Sequence, residues 1–547
     1  MTAVSKNGAT LQVVTEGNVI ANYRILRGRL KVDQGNSPHI EGEIVVPKPD
    51  AATLPLLDPR SSPQCIVYPT EDGWLSGAFV LALRSLRIDG GEVVLGVASF
   101  ESLLLDYAPL ADDYAPLDLA GSLRAIVNYV LGVAKPSVVV LPWTLSASPA
   151  IDADMTPYWE LTNLATNPSF ELNANDTAIS SNASSGSSQP LFSPLPIGGT
   201  RAVRFSVPTA GVSRFYPAGY STIGAGFRSM RVSPGKTYTA SLYAVGSIPR
   251  SSRIGLHFRD EGGNILEGEW SPLAVDGGGS TMVRYHVTAI APRNAAVASI
   301  IFESNGNTAG QFHFIDGVML TEGDLLVDYF DGDTALAGYA THWTGDAHAT
   351  ASIRVPDPAL ARSPESLIWK AGQPALDFLL PLVQSAGYRL VNDGSWTLRD
   401  ETYRASGFTT IEAGVNMVTG TDSIDREARL WYDAQVTRYT WTDIDGIQRE
   451  AIDAYALDPD DYRLVNVEEK SQPYPGPGYS EYSVRRAQER GHDVVVTAMT
   501  SWDTTAEQPI TITLDDGIEQ HGVIQSVEFD LELDEMTVTV RPDGGTP

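Results

Sequence analysis

The sequence predicts a mainly β protein in three parts, and three observations carry that prediction. Short segments with period-two alternation recur from Tyr23 to Val540, separated by glycine, proline and serine turns. Helical spacing is confined to a few stretches. At 547 residues, with 43% hydrophobic and 19% charged side chains, the chain is globular in composition and too long for one core.

In the first part, residues 1–160, Tyr23 to Val32 alternates as a strand. His39 to Pro47 reads as its antiparallel partner across Gly35-Asn36-Ser37-Pro38. Pro47 and Pro49 end the pairing, because proline has no N–H for a ladder. Strands at Gln64–Tyr68, Gly77–Asp89 and Glu92–Ser99 follow, the last two joined by the hairpin signal Gly90-Gly91. A short helix is expected over Ser99–Tyr107. A second, from Ser122 to Gly132, puts Leu123, Ile126, Val127, Val130 and Leu131 on one stripe. These signals together describe a small β-barrel or sandwich with a helix docked on it.

The middle part, residues 161–355, is strand pattern throughout. Lys236–Val245 follows the turn Ser233-Pro234-Gly235 and sets Tyr238, Ala240, Leu242 and Ala244 on one face with Tyr243 on the other. Arg253–Arg259 turns Ile254, Leu256 and Phe258 inward and His257 outward. Met282–Thr288 sets Val283, Tyr285 and Val287 against Arg284 and His286. Many short strands between polar turns argue a two-sheet sandwich. Thr177–Ser193 and Asp276–Ser280 are too polar and glycine-rich for core and are expected to be loops.

In the last part, residues 356–547, prolines 356, 358 and 364 mark an exit linker. Leu367–Leu390 reads as strand, turn and helix, closed by Gly387. Strands at Tyr388–Val391 and Trp396–Asp400 join at Asn392-Asp393-Gly394, and Tyr479–Arg490 is a helix. Val494–Ala498, Ile510–Leu514, Gly522–Asp530 and Met536–Val540 then alternate as a closing antiparallel barrel.

Charge is uneven. Lys+Arg against Asp+Glu stands at 11 to 18 over residues 1–160, 12 to 15 over 161–355 and 15 to 34 over 356–547, within a net of −29. Gripping nucleic acid needs a basic face, so specific nucleic-acid binding is not expected. The single cysteine, Cys65, excludes an intramolecular disulfide framework and reads as a small core residue of its strand. The N-terminus lacks a secretory apolar run. The most apolar stretch, Ala125–Trp143, is interrupted by Asn128, Lys135 and Pro136, so no membrane span is expected.

An ordered series of segments resembles a known family. It comprises Arg29–Val32, Ile40–Pro47, Leu57-Asp58-Pro59-Arg60, Ser99–Tyr107 and Leu123–Gly132, and it resumes at Leu367–Leu390. In this order they are similar to minor tail proteins, of the tail-hub family, from siphophages that infect actinobacteria. Asn163–Glu171 at one end, and Phe312–Leu320, Tyr329–Asp333 and His342–Gly345 at the other, resemble a carbohydrate-binding-module jelly roll of the kind such tail proteins carry as an insertion. The resemblance implies split hub-type β-barrel domains with a few packed helices around an inserted jelly roll. It further implies a homotrimeric ring in the virion tail tip or baseplate, assembled in the host cytoplasm. Distal tail, tape-measure and other minor tail proteins would be its partners, with DNA leaving through the ring and host cell-surface glycan as the target.

A glycan platform needs an aromatic ring for the apolar face of a pyranose and polar groups for its hydroxyls. Trp270, Tyr243, His257 and His286 are candidates for the rings, with Arg259 and Arg284 as donors. The plainer account makes Trp270 an edge cover and the histidines solvated strand residues. In related modules an acidic residue near the first strand and another in the Ile-Asp-Gly-Val segment hold a structural calcium. Glu171 and Asp316 stand in those places here, and hard oxygen ligands suit that ion.

No catalytic residue is assigned, and a non-enzymatic role is expected. Pro234-Gly235-Lys236-Thr237 ends like a phosphate loop, but Met230 stands where its first glycine belongs. Asp443–Gly446 hints at an EF-hand loop, but Trp441 falls on its first ligand position, so a hairpin turn is expected. The alternative is a cell-wall polysaccharide hydrolase with a binding module, since carboxylates are abundant and their spacing in space is invisible here.

Overall fold

The computed structural model describes residues 8–542 apart from 16–17, 62–63, 72–73, 76–77, 137–142, 175–176, 192–194, 219–229, 276–277, 280, 425–430, 444–445 and 489–491. It is mainly β, with several sheets and few helices. The chain divides into two compact units: Met1–Pro157 with Arg362–Trp441 and Glu450–Pro547, and Tyr158–Ala361 with Thr442–Arg449. No helix among the described residues is long and apolar enough to cross a membrane.

The first unit is built on a 14-stranded sheet drawn from both ends of the chain. Its strand path runs Asn18–Arg24, Gly8–Thr15, Gln64–Glu71, Phe79–Asp89, Glu92–Ala98, Ile40–Pro47 and Arg27–Asp33. It then continues through Glu519–Asp530, Glu535–Pro542, His492–Met499 and Met417–Ile424. The join is antiparallel, with Arg29 opposite Asp530 and Val32 opposite Val527. Because strand side chains alternate, Leu30, Val32, Ile44, Val46, Leu95 and Val97 share one buried core with Ile524, Val527, Phe529, Val538 and Val540. Trp502 stacks on Phe529 at 4.9 Å within it. The path has two ends, and no pairing among the described residues closes it into a ring.

A second core in this unit is helical. Leu123–Ala134 starts on Ser122, whose hydroxyl accepts from the Ala125 N–H at 3.1 Å. It runs past Gly132, the expected stop, and ends before Lys135-Pro136. One glycine is tolerated in a helix whose apolar stripe is packed, whereas proline has no N–H to continue the ladder. Leu123, Ile126, Val127, Val130 and Leu131 are all buried with Leu376, Leu379, Leu382 and Val383 of Ala375–Ser385. Gly387, at φ +82°, ends that second helix, with the Tyr388 N–H donating back to Val383. The strand expected at Leu367 is a 3-10 turn, Pro364–Leu367, followed by a lone bridge from Trp369 to Asp113. Pro364 sets the turn. The side chain of Cys65 lies outside the described residues, as does the end expected at Arg490 for the helix that is described over Tyr479–Gln488.

The second unit is a sandwich. One sheet of seven strands follows the path Ala178–Ser181, Gly211–Ala218, Val297–Asn307, Ser251–Arg259, Ile265–Trp270, with Met230–Arg231 and Ala274–Val275 at its margins. The other, of five, runs Ser187–Pro190, Arg201–Ser206, Phe312–Glu322, Thr237–Gly246, Val283–Ile290. Phe205 and Phe215 stack at 4.6 Å between the sheets, among Tyr238, Leu242, Leu256, Phe258, Tyr285, Ile300 and Phe302. The stretch expected as a loop, Thr177–Ser193, supplies an edge strand to each sheet, Ala178–Ser181 and Ser187–Pro190. An edge strand contributes backbone hydrogen bonds and needs no buried apolar face, so polarity did not preclude pairing.

Candidate functional site

The outward face of the seven-stranded sheet carries the main concentration of unusual side chains. Ile254, Leu256 and Phe258 fill the core, so Arg253, Gly255, His257 and Arg259 point the other way. Opposed residues on neighbouring strands share a face, and the register gives three rows: Arg214, Glu303 and Arg253; then Ile301, Gly255 and Trp270; then Ser299, His257 and Gly268.

Two glycines make the second and third rows possible. A Cβ on Gly255 would stand 2.9 Å from the Trp270 ring, and one on Gly268 would meet the His257 ring at 2.3 Å. Each glycine lets a flat ring settle against backbone. The Arg253 guanidinium lies 4.4 Å from the Trp270 ring centroid, and His257 meets Trp270 edge-on at 5.3 Å. Tyr216 extends the group, 6.4 Å from His257 and 5.9 Å from the Arg259 guanidinium, which donates to the Gly263 carbonyl at 2.9 Å.

Glu303 anchors the first row. Its side chain is only 3% exposed, and it accepts from Arg214 Nε at 2.7 Å and Arg253 Nε at 2.8 Å. Burial alone would raise its carboxyl. The hydrogen bonds and charges of Arg214 and Arg253 outweigh burial and hold it below the usual carboxylate range. His257 shifts down, first through burial and then through the Arg259 and Arg214 charges, so its imidazole is neutral at neutral pH. The arrangement can stack on an apolar ring, donate from guanidinium groups and exclude water. It holds no nucleophile paired with a base.

The six platform candidates therefore fall on two sheets. Trp270, His257 and Arg259 come together on the face just described, whereas Tyr243, Arg284 and His286 belong to the outward face of the five-stranded sheet. There Arg284 lies 5.3 Å from the Tyr243 ring and donates to Ser241 Oγ at 3.1 Å and the Val327 carbonyl at 2.5 Å. Tyr243 packs against the cluster of Met319, Val327, Tyr329 and Phe330. Both side chains pin a covering segment, and His286 is exposed beside them. Arg214, Arg253, Tyr216 and Glu303 were not singled out from the sequence. The outward position of Arg253, in step with His257, was the available signal; the pairing of Glu303 with two arginines depends on register.

Glu171 and Asp316 clasp one loop. Glu171 Oε1 accepts from the Thr200 and Arg201 N–H groups at 2.8 and 2.7 Å, and Asp316 Oδ2 from Ile197 and Gly198 at 2.6 and 3.0 Å. Asp316 is buried, which pushes its carboxyl well above the usual range, and its Oδ1 has no hydrogen-bond partner among the described residues. Asn167 Oδ1 is likewise buried without a hydrogen-bond partner among the described residues. These oxygens fit a hard cation. No group of three or more His, Cys, Asp or Glu side chains suited to a metal occurs among the described residues, so carbonyl or amide oxygens would have to complete any shell.

No protein-family model matches the chain, and no curated protein matches it. Among solved structures it is similar to a tail protein from Neisseria meningitidis, at 10% identity over 98% of this chain and 97% of that one, TM-score 0.35. It is similar to the enzymatically active domain of tailspike protein 4 from bacteriophage CBA120, at 18% identity over 29% of this chain, TM-score 0.23. The chain spans 21% of that domain's length. It is also similar to the CBM22-1 xylan-binding domain of Xyn10C from Paenibacillus barcinonensis, at 11% identity over 29% of this chain and 94% of that one, TM-score 0.22.

Proposed function

We propose that the chain is a structural protein of a phage tail tip, of the tail-hub type found in siphophages of actinobacteria, and that its sandwich presents a glycan-binding face to the host surface. The observation that carries the reading is the ladder between Arg27–Asp33 and Glu519–Asp530, through which the two ends of the chain form one sheet. A sandwich lying between those ends in sequence is held at both its own ends, as an inserted receptor-contacting module would need. Trp270 and His257 are its aromatic surface, with Arg253 and Arg214 as donors and with Tyr216 and Arg259 buried beside them. The hub would assemble as a homotrimer with distal tail and tape-measure proteins, and its role is structural and binding rather than catalytic. A structural calcium at Asp316, with Glu171 holding the adjoining loop, would steady the sandwich. The test is immunogold labelling of purified virions of the encoding phage with antibody to this chain. Label confined to the tail tip is expected, and virions without the chain would overturn the reading.

A further inference from the structure

The outward face of the seven-stranded sheet is positive in an otherwise acidic chain. Arg214, Arg253 and Arg259 occupy it, and Arg231 joins them because it lies opposite Val297, which lies opposite Arg259. Glu303 is the one acidic residue on the strand positions of this face among the described residues. Four guanidinium groups therefore meet one carboxylate, within a chain of net charge −29.

Geometry adds to the count. Glu303 is buried and grips Arg214 through Nε, and Arg253 through Nε and Nη2, from the sheet side. The Arg214 side chain is 44% exposed, the Arg253 side chain 30%. Among the described residues, the Nη groups of Arg214 donate to no second partner. One buried carboxylate thus fixes the direction of two arginines while neutralising a single charge. A guanidinium so held, with its outer N–H pair turned to water, matches the two oxygens of a carboxylate or phosphate. The Trp270 ring beside Arg253 supplies the apolar surface on which a sugar ring would lie.

We propose that this face selects glycans bearing an acidic group, a carboxylate or a phosphate, over their neutral counterparts. The inference rests on the glycan-binding reading above. The experiment is binding of the full chain to an array of matched pairs: polygalacturonate and its methyl ester, glucuronoxylan and unsubstituted xylan, a sugar-phosphate polymer and its dephosphorylated form. The expected result is a preference of at least about tenfold for acidic members, weakening as salt rises from about 0.05 M to about 0.5 M. Arg231→Gln, at a position outside the platform residues named above, should cut that preference severalfold and leave neutral binding in place. Carboxylated members favoured over phosphorylated ones, or the reverse, would identify the acidic group. Equal binding to both members of each pair would overturn this inference and leave the glycan-binding reading intact. Binding to no member would overturn both.

Discussion

Replacing Glu303 with glutamine should destabilise the sandwich by an amount that depends on pH. In the wild type the buried carboxylate holds Arg214 at 2.7 Å and Arg253 at 2.8 Å. Breaking a fully buried pair costs roughly 3–5 kcal/mol because a charge is left unpaired. Here both arginines reach water, at 44% and 30% exposure, and water screens what they lose. A loss of about 2 kcal/mol follows as a discounted figure. Glu303 is held below its usual range in the folded state, so its contribution is present above the unfolded carboxylate value, about 4.5. It disappears as pH falls through the lower folded value. Urea unfolding followed by Trp fluorescence, at pH 7 and at pH 3, provides the assay, with the transition assigned to the sandwich by comparison with Leu256→Ala. The gap between wild type and Glu303→Gln should be largest at pH 7 and close towards pH 3. An equal gap at both pH values would refute the ion-pair account.

Other perturbations probe the remaining parts. In the first unit, Glu507 is fully buried between Arg389 and Arg399, so Glu507→Gln should cost roughly 3–5 kcal/mol and lower the melting temperature of that unit. Burial pushes the Glu101 carboxyl up to about 7, so the stability tied to its protonated form is complete below about pH 4.5 and is lost as pH rises through 7. Glu101→Gln should remove that slope from the pH dependence of melting. Phe302→Ala empties the middle of the sandwich core and should cost about 3–5 kcal/mol in chemical unfolding. Calcium should raise the melting temperature of the wild type and leave Asp316→Asn unmoved, and a wild type indifferent to both calcium and chelator would remove the ion from the account.

The β character, the strand faces of the sandwich and the helical stripe at Leu123–Leu131 were legible because burial imposes a period on sequence. Tyr238, Leu242, Leu256 and Phe258 are inward as their alternation requires, and Gly387 ends its helix. What escaped depends on pairing between distant segments. Edge strands such as Ser187–Pro190 bury little and so leave no apolar signal. The six platform candidates looked alike as outward aromatic and basic residues, and only register separates Trp270 and His257 from Tyr243 and Arg284. Glu303 sits at the end of the apolar run Val297–Phe302, where nothing local announces two arginines on the flanking strands. Gly255 and Gly268 did carry a signal, since glycine inside a strand marks close approach, here of a ring.

The central claim is that the face around Trp270 binds host glycan, and binding of the full chain to purified actinobacterial cell-wall polysaccharide tests it most directly, with Trp270→Ala beside the wild type. The account expects wild-type binding and a loss of roughly tenfold or more in the variant, with an unchanged melting temperature showing that the fold is intact. Binding of equal strength by both proteins, or by neither, would contradict it.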